Sequence, residues 1–208
     1  MKFVVAIDGT AASGKGTIGK RIAEHFNFHY LDTGILYRIV AYNLQYNSDF
    51  SKISKQTVQT SLKLLNNKNF NIIDLRNEKI TLKASEISKN KIVRDNLLFY
   101  QRDFALQSGG TVIDVRDIGS VVFKNASIKL YIDVDVNIRA KRRHKQLIDM
   151  GEKSIYPKIL KEIKLRDKID IKRKHSPLVV PNGAFLINNS GTFHLTIKDV
   201  NNLISKVI

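Results

Sequence analysis

The chain contains no cysteine in its 208 residues, which excludes disulfides and thiolate metal sites and is compatible with a reducing compartment. No stretch reaches the ~18 apolar residues of a membrane span. The first residues read as a strand rather than a charged leader with an apolar h-region. A cytoplasmic location without membrane partners is therefore the simplest expectation. Acidic residues are scarce, 19 against 35 lysines and arginines, for a formal net charge of +16. Such a charge pulls toward polyanions. Aromatic residues are only 8% of the chain, and the lysines are dispersed among many Ile and Asn. A solvated basic face together with a basic cleft for a small polyanion therefore accounts for the charge better than a nucleic-acid surface with stacking platforms.

What is present points to one core. At 208 residues and 43% hydrophobic, the chain can bury a sizeable interior, and its length suits one domain with inserted lobes. The most informative stretch is Gly9-Thr10-Ala11-Ala12-Ser13-Gly14-Lys15-Gly16-Thr17, directly after the apolar run Phe3-Val4-Val5-Ala6-Ile7. Gly9 and Gly14 allow a tight turn whose N–H groups converge on an anion, and Lys15 adds a point charge for the β- and γ-phosphates. Apolar residues at Ile18, Ile22, Ala23 and Phe26 have helical spacing, so the loop feeds a helix N-terminus. Gly16 stands where the strict pattern has a Ser or Thr for magnesium, and the hydroxyl follows at Thr17. That ending resembles nucleoside monophosphate kinases more than GTPases or motor ATPases. The bland alternative is a glycine-bearing strand-to-helix turn with a surface lysine.

The remainder alternates as an α/β protein. Strand patterns at Phe3–Asp8, Phe28–Leu31, Thr111–Val115, Ile128–Asp133 and Ala184–Ile187 predict a five-stranded parallel sheet flanked by helices. Between the second and third lies an inserted lobe, about 51–107. It comprises an amphipathic stretch at Ser51–Leu65, two short strands near Phe70–Leu75 and Lys79–Lys83, and a helical region to Gln107. Asn66–Asn69 and Asn188–Gly191 read as short turns.

Four further constellations look chemical. In Leu31-Asp32-Thr33-Gly34-Ile35-Leu36-Tyr37-Arg38, Thr33 can cap a helix and Arg38 can reach back from it, or the segment is an ordinary helix start with a surface arginine. Asp114-Val115-Arg116-Asp117-Ile118-Gly119-Ser120 follows a strand at its carboxyl end, where open parallel sheets bind ligands. There Arg116 offers a phosphate fork, Asp117 an acceptor, and Asp114 a carboxylate for metal-bound water; a strand-end ion pair is the alternative. Arg139, Arg142 and Arg143 share a helical face, as a lid over a triphosphate or as a solvated basic face. Arg166, Asp170 and Arg173 share a face of a helix at about 155–174, as a site or as plain surface pairing.

Ile7-Asp8-Gly9 with Ser13-Gly14-Lys15-Gly16-Thr17, Leu31-Asp32-Thr33-Gly34 with Tyr37-Arg38, Arg116-Asp117-Ile118-Gly119, Arg139-Ala140-Lys141-Arg142-Arg143 with Gln146-Leu147, and Arg166-Asp167 with Asp170 and Arg173 together resemble bacterial cytidylate kinase. The resemblance runs in order through nearly the whole chain. It implies a P-loop kinase fold, one domain over 1–208 with a nucleoside-monophosphate-binding lobe and a helical lid at about 139–174. It implies transfer of the γ-phosphate of ATP to CMP or dCMP in pyrimidine nucleotide metabolism by a monomer that needs no nucleic acid. Other acceptors such as UMP, or a basic nucleic-acid-associated NTP binder, are the alternatives. Gly9, Thr10, Ala11, Ala12, Ser13, Gly14, Lys15, Gly16 and Thr17 would bind ATP. Lys15, Arg116, Arg142 and Arg173 would act on the moving phosphoryl group. Thr33, Arg38, Ser85, Arg94, Arg116, Asp117, Arg166, Asp170 and Arg173 would hold the acceptor. Mg2+ would be reached from Thr17 and Asp114 through water, with no direct protein ligand assured. Ser85 and Arg94, nine apart, lie about 180° from each other on a continuous helix. The helix must break near Lys89-Asn90-Lys91 if both face cytosine. Departures from the family pattern are Thr10 for proline, Val115 for glycine, Ser120 for threonine, and a shortened stretch between Leu82 and Ser85.

Overall fold

The structure is a computed structural model that describes residues 2–46, 53–66, 75, 78–114, 116–173 and 176–208. The chain divides into two compact units, one of residues 1–31 and 107–208, the other of residues 32–106.

The first unit is built on a five-stranded sheet of order β2-β3-β1-β4-β5, with β1 Phe3–Gly9, β2 His29–Asp32, β3 Gly110–Asp114, β4 Ile128–Asp133 and β5 Phe185–Asn188. β1 is central and runs parallel to both neighbours, with Ile7 opposite Asp114 and Gly9 opposite Ile132; β4 and β5 are parallel as well. All five predicted strands are present. Val4 through Gly9 and all of β3 are buried, the continuous apolar reading expected of strands covered on both faces. Helix α1 (Lys15–Phe26) and the C-terminal helix, Phe193–Ser205, pack on this sheet. Their Ile18, Ile22, Val200 and Ile204 join Val5, Ile7, Val112, Ile128, Leu130 and Ile132 in one core. Because the strands are parallel, Asp8, Gly9 and Asp114 arrive together at the carboxyl edge, where the chemistry-bearing loops begin.

The second unit is helical: α2 (Thr33–Tyr46), α3 (Lys55–Lys63), α4 (Glu78–Ile87) and α5 (Lys91–Phe104). It starts at Asp32, ahead of the expected 51, because α2 packs on α3, α4 and α5. Ser54 caps α3 by accepting from Thr57 N at 3.2 Å, and Asn43 on α2 donates to Ser61 Oγ on α3 at 2.9 Å. The strand expected at Lys79–Lys83 is helix α4, which also runs unbroken through Leu82–Ser85. The companion strand at Phe70–Leu75 lies outside the described residues except for Leu75, which is buried. Residues 51–52 and 67–69 of the expected amphipathic stretch and turn also lie outside them.

Back in the first unit, α6 (Val136–Asp149) and α7 (Tyr156–Lys172) pack as a pair around Ala140, Leu147, Ile159 and Ile163. The predicted 155–174 helix ends two residues early, and Lys174 is outside the described residues. The C-terminal helix, Phe193–Ser205, is α8. Among the described residues no helix is long and apolar enough to cross a membrane.

Candidate active site

The loop between β1 and α1 has the backbone that its glycines anticipate. Gly9 (φ 146°), Ala12 (59°) and Gly14 (88°) all take positive φ. A Cβ on Gly9 would stand 2.4 Å from the carbonyl oxygen of Ile132, so no larger residue fits beside β4. Gly14 is the N-cap of α1 and, having no side chain, makes no cap bond to the first N–H groups of the helix. Lys15 Nζ donates to the carbonyl of Thr10 at 2.8 Å. Asn189, 1% exposed, closes the loop from the far end of the chain: its Nδ2 donates to Ser13 O at 2.9 Å while its backbone N–H donates to Asp133 O at 2.9 Å.

Gly16 has a steric reason. A Cβ there would lie 3.3 Å from the Tyr30 hydroxyl and 3.4 Å from Asp114 Oδ2, and one on Gly19 would lie 2.7 Å from Tyr30 Cε2. The two glycines, one turn apart on α1, form a trough for the tyrosine ring. Tyr30 Oη donates to Asp114 Oδ2 at 3.0 Å, fixing that buried carboxylate at the end of β3.

After β3 the chain forms a π-helical turn, Ile118–Val122, with five-residue spacing in the bonds Val122 N to Asp117 O and Phe123 N to Ile118 O. Val115 lies outside the described residues. Asp8, fully buried, accepts from Ile118 N (2.8 Å) and Gly119 N (2.7 Å). Burial pushes the Asp8 carboxyl up to about 7, with the Asp117 charge adding to the rise and the two amide donors and Lys15 opposing it.

Asp170 gathers two of the predicted site arginines. It pairs with Arg116 Nε across the loop and with Arg173 Nη1 at 3.9 Å, and Arg173 Nε donates to Ser176 O. The plain surface-pairing alternative fails here, since Asp170 is 5% exposed and its main partner comes from another element. Arg173 is the C-cap of α7, with extended backbone, so the three do not share one helical face as expected. Arg166 is half-buried on α7.

The three-arginine face of α6 also needs correction. Arg139 is 4% exposed and is no surface cation. Its Nε donates to Val134 O (3.0 Å), Nη1 to Ala11 O (3.1 Å) and Nη2 to Asp167 Oδ2 (2.7 Å), so it ties α6, the nucleotide loop and α7 together. Arg143 Nη1 donates to Gln146 Oε1 at 2.9 Å, and Arg142 is half-buried.

In the second unit, α2 begins at Thr33 itself, which places the buried Thr33 at the first helical position rather than the cap. A Cβ on Gly34 would meet Asp32 Oδ1 at 2.9 Å and Arg38 Nη1 at 3.2 Å, so Arg38 does fold back over the helix start. The break between α4 and α5 falls at 88–90, where Asn90 caps α5 by accepting from Val93 N at 3.2 Å. Ser88 joins the two half-buried predicted residues: its Oγ donates to Ser85 O (2.7 Å) and its carbonyl accepts from Arg94 Nη1 (3.4 Å).

A family model described as Cytidylate kinase matches residues 5–208, from β1 through α8. This chain belongs to the cytidylate kinase family. Relatives named Cytidylate kinase include one from Bartonella tribocorum, 42% identical over 188 residues covering 90% of this chain and 87% of that one. Another, from Fusobacterium nucleatum, is 39% identical over 99% of this chain and 97% of its own length. Among solved structures, the crystal structure of TT1252 from Thermus thermophilus aligns over 100% of this chain and 98% of that chain with a TM-score of 0.51 at 14% identity, a likeness of fold. Within this cytidylate kinase family member, Asp8, Tyr30, Arg139, Asp167 and Asn189 carry contacts that single-sequence reasoning did not assign. Only Asp8, inside Ile7-Asp8-Gly9, Arg139, in Arg139-Ala140-Lys141-Arg142-Arg143, and Asp167, in Arg166-Asp167, left any signal in the sequence.

Proposed function

We propose that this protein transfers the γ-phosphate of ATP to CMP or dCMP, giving ADP and the diphosphate, as a cytoplasmic monomer in pyrimidine nucleotide metabolism. It works without nucleic-acid or membrane partners, using residues of about 51–107 for the acceptor and about 139–174 as a lid. The observation that carries the reading is the continuous family match over residues 5–208, through the phosphate loop and every later constellation.

Phosphoryl transfer asks a protein for alignment and positive charge more than for covalent chemistry. The backbone amides of Gly9–Thr17 would cradle the ATP phosphates, with Lys15 leaving Thr10 O to meet the β- and γ-oxygens. Arg38 and Arg116 would grip the acceptor phosphate, with Thr33 near them; Asp170 pairs with both Arg116 and Arg173. Ser85, Arg94, Asp117 and Arg173 would form the cytosine pocket, Asp170 and Arg166 would lie near the ribose, and Arg142 would come from the lid. The acceptor phosphate is already an anion, so no strong general base is needed, and exclusion of water protects ATP from hydrolysis.

Among the described residues no cluster of three or more His, Asp or Glu could hold a metal alone. Mg2+ is commonly held by one or two carboxylates, phosphate oxygens and water, and the buried Asp114 carboxylate, held by Tyr30 Oη at 3.0 Å, suits that role. Asp114, beside Gly16, and the exposed Thr17 hydroxyl would hold it through water. When bound, it supplies positive charge at the phosphate oxygens.

Steady-state turnover of CMP, dCMP, UMP, AMP and GMP with ATP tests the reading. A kcat/KM preference for CMP or dCMP is expected, and Lys15→Ala should cut turnover by about 100-fold or more. Absence of that preference, turnover intact in Lys15→Ala, or RNA affinity exceeding that for CMP at physiological salt would refute it.

A further inference from the structure

We propose that Asp8 is a positioning residue for the acceptor side of the reaction: its carboxylate caps, from another strand, the turn that carries Arg116 and Asp117, and so couples the nucleotide loop to the acceptor-phosphate grip. The inference rests on the reading that Arg116 holds the acceptor phosphate.

A helical turn begins with N–H groups that no carbonyl of its own satisfies, and the preceding residue's side chain normally accepts them. Asp117 occupies that preceding position and makes no side-chain cap. The acceptor is Asp8, 110 residues earlier, with one carboxylate oxygen on each of the first two amides, 2.8 Å from Ile118 N and 2.7 Å from Gly119 N. The fit is close on both sides. A Cβ on Gly119 would stand 2.8 Å from Asp8 Oδ2 and 3.0 Å from Pro181 Cγ, so residue 119 can approach the carboxylate only as glycine.

Two consequences make this contact more than packing. First, burying a carboxylate is costly, and pairing it with amides recovers only part of that cost. An apolar residue would cover β1 at lower cost, but it would leave the two amides of the turn bare. Second, Asp8 is bonded covalently to Gly9, the residue whose φ of 146° opens the nucleotide loop. Arg116 is thus anchored at its base, through the turn, to the nucleotide loop and at its guanidinium to Asp170. A shift of Asp8 moves the turn, and the turn moves the fork.

The test uses the full chain and three measurements: KM for the acceptor, kcat, and Kd for ATP alone by calorimetry, with a thermal unfolding curve for each variant. Asp8→Asn keeps the shape but turns an amide NH2 toward one of the two N–H donors. It should raise the acceptor KM by about tenfold or more, the loss of one charge-assisted hydrogen bond, while ATP Kd moves by less than about threefold. Gly119→Ala perturbs the same contact from the turn, with the Asp8 carboxyl itself retained, and should give the same split; it carries the test if Asp8→Asn does not fold. Acceptor KM and kcat unchanged in either folded variant overturn the proposal. So does loss of acceptor and ATP affinity in equal proportion, the mark of a purely structural role. Wild-type turnover of CMP is the separate check on the proposed function. If the wild type prefers another monophosphate, the variants are measured with that acceptor and the split is read in the same way.

Discussion

Replacing Arg139 by alanine should destabilise this protein far more than loss of any other arginine on α6. The guanidinium is almost wholly buried and spends three donors on Val134 O, Ala11 O and Asp167 Oδ2. Asp167 is itself only 15% exposed, and its Oδ1 has no hydrogen-bond partner among the described residues. Removing Arg139 therefore leaves a buried carboxylate uncompensated and two carbonyls short of a donor. Breaking such a pair from one side costs about 3–5 kcal/mol. At about 2–4 °C per kcal/mol for a chain of this size, the midpoint of thermal unfolding should drop by about 10 °C. Arg143→Ala, which removes only the exposed bond to Gln146, should shift it by no more than about 2 °C. The double variant Arg139→Met with Asp167→Leu should recover much of the loss, since it removes the orphaned charge. Calorimetry and urea unfolding of the single and double variants give the coupling directly. A midpoint within about 2 °C of wild type for Arg139→Ala, or strictly additive single variants, would refute the buried-latch account.

Two further outcomes follow from the geometry. Gly19→Ala should cost about 1–3 kcal/mol, because its Cβ would enter the Tyr30 ring at 2.7 Å, whereas Gly16→Ala should cost less, its contacts at 3.3 and 3.4 Å needing only small adjustment; equal costs by urea unfolding would contradict the trough described for α1. The Asp8 carboxyl, raised from 3.8 to about 7, holds a proton in the folded chain that the unfolded chain has lost between those values. Its contribution to stability is therefore full below about 4, declines as pH rises, and is gone above about 7, a change of roughly 4 kcal/mol at most. The stability of wild type relative to Asp8→Asn should fall from pH 5 to pH 8; a constant or widening advantage would contradict it.

The central strands β1 and β3 were legible because they are buried on both faces and read as uninterrupted apolar runs, whereas β4 alternates between buried and half-buried positions and β5 is largely exposed. The misread segment shows where that logic fails. Lys79-Ile80-Thr81-Leu82-Lys83 alternates like a half-buried strand, yet Ile80, Ala84 and Ile87 are the buried positions, spaced four and three apart, and Leu82 is exposed. Two apolar residues in five cannot separate a period of two from one of 3.6. The phosphate loop was legible because its chemistry is local, set by Gly9, Gly14 and Lys15 within one turn. Arg139 was read with Arg142 and Arg143 because all three are cations on one helix; its partner Asp167 stands 28 positions away, and spacing alone cannot say which arginine faces inward. Asn189 sits between a strand and a helix, where asparagines commonly serve as turn residues. Its contact with Ser13 spans 176 positions and leaves no local trace.

That last contact also bears on the order in which the protein is made. The nucleotide loop leaves the ribosome well before one of its supports, Asn189, which lies 176 positions downstream of Ser13. Until that residue arrives, Ser13 lacks its brace and β4 lacks the neighbour it acquires in β5. Nascent chains halted before Asn189 would thus carry the complete phosphate-binding motif without the completed phosphate-binding shape, and should gain affinity for ATP only when β5 and its following turn are in place.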